Sequence, residues 1–160
     1  MLEKLILYFV CKSKGFITKT QLIKFLYLAD LYAVKWTEKP LTDLDWRYYL
    51  HGPWNEGTDQ ALKSLYDRNI LGESKRDKTI FIEPRENCPS LESLDLSQGL
   101  ELMLRNIRKE WIGADKLDQL LEYVYQTEPM LDARKHHDRE EKAPLNLQLE
   151  REKLVIELGG

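Results

Sequence analysis

Between Thr18 and Trp36 the chain is apolar on nearly every side of a helix. Leu22, Phe25, Leu26, Ala29, Tyr32 and Ala33 form one stripe at helical spacing. Ile23, Tyr27, Leu28, Leu31 and Val34 cover much of the remaining circumference. A helix with no broad polar face must be covered on more than one side, so it can only sit inside a domain. Its start is written locally. Thr18 is followed three residues later by Gln21, a capping-box pattern that satisfies the first orphan N–H groups. Pro40 lies beyond its end.

The flanking sequence predicts further helices around this one. Leu2, Leu5, Ile6 and Phe9 share a face over residues 2–12, and Ser13-Lys14-Gly15 breaks that helix. Helical spacing resumes over 58–69 through Ala61, Leu62, Leu65 and Tyr66. Near residues 70–83 a small β-hairpin is predicted, with a turn at Arg76-Asp77-Lys78, a β-prone Thr79-Ile80-Phe81-Ile82 and Pro84 to close it. A helix followed by such a hairpin has the outline of a winged-helix wing. Another helix is read from about Ser97 to Trp111. A further one carries Leu117, Leu120, Leu121 and Val124, with Pro129 as its stop. The expectation is a mainly α fold, one compact helical domain around a buried central helix. It occupies residues 1–143, and a C-terminal extension over 144–160 packs on the domain or on a partner. In that extension Leu145, Leu147 and Leu149 alternate like a strand, whereas Leu154, Val155, Ile156 and Leu158 suit either state.

Charge and cysteine content bound the function. Net charge is −3 over 160 residues, with pI about 5.7, so no global positive field draws the chain to nucleic acid or an anionic membrane. No apolar stretch nears the ~18 residues that span a bilayer, and the N-terminal apolar run is too short and interrupted for a secretion signal. Cys11 and Cys88 are too few for a disulfide framework and lack metal-ligand spacing. Cys11 reads as a small core residue and Cys88 as a loop bystander. These features favour a cytoplasmic protein that needs no cofactor and no metal.

Catalytic chemistry finds little to build on. His51 precedes Gly52-Pro53 in an aromatic-flanked turn, with no nucleophile beside it to complete a triad. Its ring is expected to bond nearby backbone. His136 and His137 point about 100° apart on a helix and cannot share an ion unaided. Asp30 stands out, since a carboxylate inside an apolar helix needs bonded partners. It is expected to buttress a neighbouring segment, with the His51-Gly52-Pro53 turn as the candidate. A hydrolase built on Asp30 and His51 requires both side chains to line one open pocket. On balance no enzyme and no catalytic residue is expected.

Two binding modes compete. Lys75, Arg76 and Lys78 on the hairpin, with Lys63 and Arg68 before it, suggest DNA, and Arg76 and Lys78 are the candidate contacts. Asp59, Asp67, Glu73 and Asp77 interleave with them, which weakens a positive face, so nucleic acid is disfavoured. Trp36, Trp46, Tyr48, Tyr49 and Trp54 crowd one inter-helical segment. Most are expected in the core. Trp54, directly after Gly52-Pro53, is the candidate anchor for a protein partner.

The run Thr18-Lys19-Thr20-Gln21-Leu22-Ile23-Lys24-Phe25-Leu26-Tyr27-Leu28-Ala29-Asp30 resembles the opening of the Panacea, or SocA-like, antitoxin domain. The aromatic run into Gly52-Pro53, the helix ending Leu65…Ile70-Leu71-Gly72, and Thr127-Glu128-Pro129 follow in the family's order. The resemblance covers residues 1 to about 135 and implies a mostly helical fold with a small hairpin. It implies an antitoxin role, in which the chain binds and blocks a cognate toxin encoded by a neighbouring gene. Some members resemble proteolytic adaptors that pass the toxin to a AAA+ protease, and the family occurs in phage-associated genes. Lys19, Lys24, Tyr27, Asp30, His51, Gly52 and Pro53 match its motif positions, in structural or partner-binding roles. An operon-binding winged-helix regulator is the alternative.

Overall fold

The computed structural model describes residues 1–159. Its first helix, α1 (Leu2–Lys12), leads through a two-residue strand, β1 (Ile17–Thr18), into the central helix, α2 (Lys19–Thr37). Thr18 Oγ1 accepts from Gln21 N at 3.1 Å, and Gln21 Oε1 accepts from Thr18 N at 2.9 Å, which completes the capping box. Twelve residues of α2 are buried, Lys24 and Asp30 among them. Each large apolar side chain buried this way contributes roughly 1.5–3 kcal/mol.

After α2 the chain forms a short hairpin, β2 (Arg47–Tyr49) and β3 (Gly52–Trp54), and then α3 (Gly57–Asp67). The predicted hairpin is present as β4 (Leu71–Arg76) and β5 (Thr79–Pro84), turning at Asp77-Lys78. It does not project as a free wing. β5 also pairs with β1, Ile17 opposite Ile82, so one sheet runs β1-β5-β4 and is tied to the start of α2.

The second half contains α4 (Gln98–Trp111), α5 (Leu117–Tyr125) and α6 (Glu128–His136). Ser97 caps α4 through Leu100 N. Pro129 does not merely stop a helix. It opens α6, where a missing N–H and fixed φ are tolerated.

The last segment departs most from expectation. A two-residue strand, β6 (Ala143–Pro144), adds to β2 and completes a second sheet in the order β3-β2-β6. Leu145 remains extended, donating to Trp46 O, but residues from Gln148 onward are helical as α7 (Gln148–Glu157). This helix lies on α2 and α6 and caps both. Arg151 Nη1 donates to Lys35 O at 2.9 Å, and Gln148 Nε2 donates to Glu38 O at 2.9 Å, satisfying carbonyls at the end of α2. Glu150 accepts from Glu128 N at 2.9 Å, placing a carboxylate on the N-terminus of α6.

Candidate functional site

The two polar residues embedded in α2 have opposite surroundings. Asp30 is fully buried and accepts four hydrogen bonds at 2.5–2.9 Å, from Leu41 N, Thr42 N, Thr42 Oγ1 and Trp46 Nε1. Burial pushes its carboxyl upward in pKa, and the bonds from Thr42, Trp46 and Leu41 pull it back. Asp30 therefore buttresses the 41–46 segment rather than the His51-Gly52-Pro53 turn, a partner the sequence does not single out. Its burial also ends the Asp30–His51 hydrolase, because Asp30 lines no open pocket.

The turn is held by another group. Tyr125 of α5 donates its hydroxyl hydrogen to His51 O, so the backbone of His51, not its ring, makes the anticipated bond. The His51 side chain is exposed. Gly52 has φ +142°, a region L side chains avoid. A methyl group placed there would lie 3.5 Å from Lys24 Nζ and 3.6 Å from Tyr125 Cε1.

Lys24 is 6% exposed and makes no hydrogen bond or ion pair among the described residues. Burial lowers its pKa to about 8. It lines a groove of about 410 Å³ between Thr20 and Ile23 of α2, the Tyr49–Trp54 hairpin, and Leu121 of α5. Trp54 is half-buried on this groove, packed edge-on against Tyr49 at 5.4 Å. Lys142 Nζ lies 4.7 Å from the Tyr49 and the Trp54 ring centres. The groove thus gathers Lys24, His51, Gly52, Pro53 and Trp54, distant in sequence but adjacent in space.

The remaining motif positions lie elsewhere. Tyr27 is fully buried and stacks edge-on with Trp46 at 5.5 Å. Thr127 Oγ1 donates to Val124 O at 2.6 Å, so at the 2.8 Å contact with Tyr27 the tyrosine is the donor. Two pieces of the motif, one on α2 and one before α6, are therefore bonded to each other. Lys19 pairs with Asp59 at the surface.

The aromatic segment is less buried than expected. Trp46 is in the core, Tyr48, Tyr49 and Trp54 are half-buried, and Trp36 is 62% exposed. Arg76 is committed internally, its guanidinium 4.7 Å from the Phe16 ring and 4.5 Å from that of Phe81, and it donates to Gly15 O. Lys78 is exposed. His136 bonds Asp132 O and His137 bonds Glu141, and no metal-binding cluster occurs among the described residues. Cys88 is more than a bystander, since its Sγ lies 2.9 Å from Cys11 Sγ. No helix among the described residues is long and apolar enough to cross a membrane.

The model of one family, described as antitoxin SocA-like, Panacea domain, matches residues 22–127, well over half the chain. The match contains Lys24, Asp30, the His51–Trp54 turn and Thr127. Comparison with curated proteins found no match, and comparison with solved structures found none.

Proposed function

The chain belongs to the SocA-like Panacea antitoxin family, and on that premise we propose that it is a non-enzymatic module that neutralises a toxin by binding it directly. The observation that carries this reading is the groove, where Lys24, the Gly52-Pro53 turn and Trp54 share one surface. Family motif residues that only maintain the fold have their polar atoms bonded internally, as Asp30 and Tyr27 do. Lys24 does not, and it stands beside a half-buried tryptophan of the kind that anchors protein interfaces. A standard interface covers about 800 Å² per partner, so the groove would be the centre of a larger contact.

In this reading the toxin is the product of a neighbouring gene and the complex forms in the cytoplasm. Transfer of the bound toxin to a AAA+ protease is a further step that some family members suggest. The commitment of Arg76 to Phe16 and Phe81 favours protein binding over promoter binding.

Co-expression with the neighbouring gene tests the proposal. The expected outcome is a stable co-purifying complex and restored growth of cells that the neighbour alone poisons. A harmless neighbour, or one that does not co-purify, overturns it.

A further inference from the structure

A buried ammonium with no partner is costly, and proteins ordinarily pair or remove it. Lys24 is neither paired nor removed. The amine lies beside Gly52, where an added Cβ would be 3.5 Å from Nζ, so the absence of a side chain there leaves space next to it. No acidic residue lines the groove among the described residues, although the chain as a whole is acidic. The positive charge is therefore a local feature of this side of the molecule, where Lys142 also stacks over Tyr49 and Trp54. The walls beside the amine are apolar or aromatic, from Ile23, Pro53, Trp54 and Leu121.

We propose that the groove receives an acidic side chain of the partner protein, its carboxylate on Lys24 Nζ and an adjacent apolar side chain against Trp54 and Leu121. The inference rests on the reading of the chain as a partner-binding module and names the chemistry of the contact. A carboxylate accepts the ammonium's hydrogen bond and also brings an opposite charge to it, whereas a neutral acceptor leaves the buried charge uncompensated. Tyr125 of α5 bonds the turn at His51 O, and Arg134 of α6 packs its guanidinium 4.9 Å from the tyrosine ring, so neither adds a negative charge. An aliphatic or aromatic neighbour in the partner supplies the apolar half of the recognition. A positively charged partner segment is disfavoured by Lys24 in the groove and by Lys142, which stacks over the Tyr49 and Trp54 rings.

Two measurements test this on the full chain. In the first, the probe is the peptide acetyl-Leu-Glu-amide, with acetyl-Leu-Gln-amide as its neutral counterpart. Nuclear magnetic resonance follows the Lys24 side chain and the Trp54 indole. The expected result is saturable shifts at both with the glutamyl peptide, with affinity falling about tenfold or more for the glutaminyl peptide and for Lys24→Met. Equal binding of the two peptides, or no shift with either, overturns the proposal. In the second, Lys24→Met and Lys24→Gln are assayed against the neighbouring gene product. Both variants should keep a full thermal unfolding transition while affinity drops at least tenfold. Folded variants with unchanged affinity overturn the proposal and leave the antitoxin reading intact. Failure of the wild-type chain to bind the neighbour overturns the antitoxin reading, and the peptide measurement then decides the carboxylate site independently.

Discussion

Asp30 and Lys24 lie on the same helix, six residues apart, and both are charged residues with largely buried side chains. Around Asp30 the protein supplies four donors, which fix the entry of the chain into the 41–46 segment. Around Lys24 no acceptor among the described residues bonds the amine, and the side chain lines an open groove instead. One site is complete by itself, and the other is complete only when something else arrives. Burial alone does not separate structural from functional charge. What separates them is whether the surrounding structure answers the group's hydrogen-bonding capacity.

The largest effect should come from breaking the complete site. Asp30→Ala leaves the Thr42 hydroxyl, the Trp46 indole N–H and two backbone N–H groups without an acceptor in the core. Removing one side of a buried charged network costs about 3–5 kcal/mol, so urea denaturation should show a stability loss of that order. A loss below about 1 kcal/mol would mean that water replaces the carboxylate and that the buttress is unimportant.

The incomplete site should respond with the opposite sign. Lys24→Met removes a burial penalty that no partner offsets and should stabilise the isolated protein. The folded amine titrates at about 8, against an ordinary lysine value of 10.5. Below pH 8 both states carry the proton and the penalty is fully present. From about pH 8 to 10.5 the unfolded chain keeps its proton while the folded chain has lost it, so stability rises with pH. At 1.36 kcal/mol per unit the difference is about 3 kcal/mol. Chemical denaturation across this range should show the rise in the wild type and its loss in Lys24→Met. A variant that is less stable at pH 7 would reveal a bonding partner for Lys24 and remove the contrast.

Gly52 sharpens the comparison because it belongs to both backbone and site. Gly52→Ala forces an alanine to φ +142°, a strained region that costs on the order of 1–3 kcal/mol. Thermal unfolding should report that loss. The added methyl would also lie 3.5 Å from Lys24 Nζ, so affinity for a carboxylate probe should fall along with stability. Loss of stability with probe affinity untouched would place the ligand away from Gly52.

Much of the fold was legible because it is written in local signals. The apolar circumference of α2, its Thr18–Gln21 capping box and the β4–β5 hairpin all appear where the sequence puts them. The Asp30 buttress was legible as a type of interaction but not in its partners, because donors at Thr42 and Trp46 meet it only through the path of an irregular segment. Strand β6 and helix α7 were not legible. Two residues pairing with β2 carry no periodicity, and α7 is held by bonds from Arg151 and Gln148 to the end of α2 rather than by a strong apolar stripe. The groove was half legible. Trp54 and the Gly52-Pro53 turn drew attention on composition, but only tertiary packing places Lys24 and Leu121 beside them.

The smallest expected effect concerns the other lysine of the motif. Lys19 opens α2 only five residues before Lys24, yet its side chain is 44% exposed and pairs with Asp59, itself 51% exposed. Such pairs contribute only about 0–1 kcal/mol, since water and salt already satisfy both charges. Lys19→Ala should therefore change stability by less than about 1 kcal/mol and leave binding of the glutamyl peptide unaltered, as denaturation and titration will show. Weakened peptide binding in Lys19→Ala would indicate that the general positive field at the start of α2, rather than the single amine of Lys24, recognises the carboxylate. Equal affinities would confine recognition to the one lysine that the fold buries and leaves unanswered.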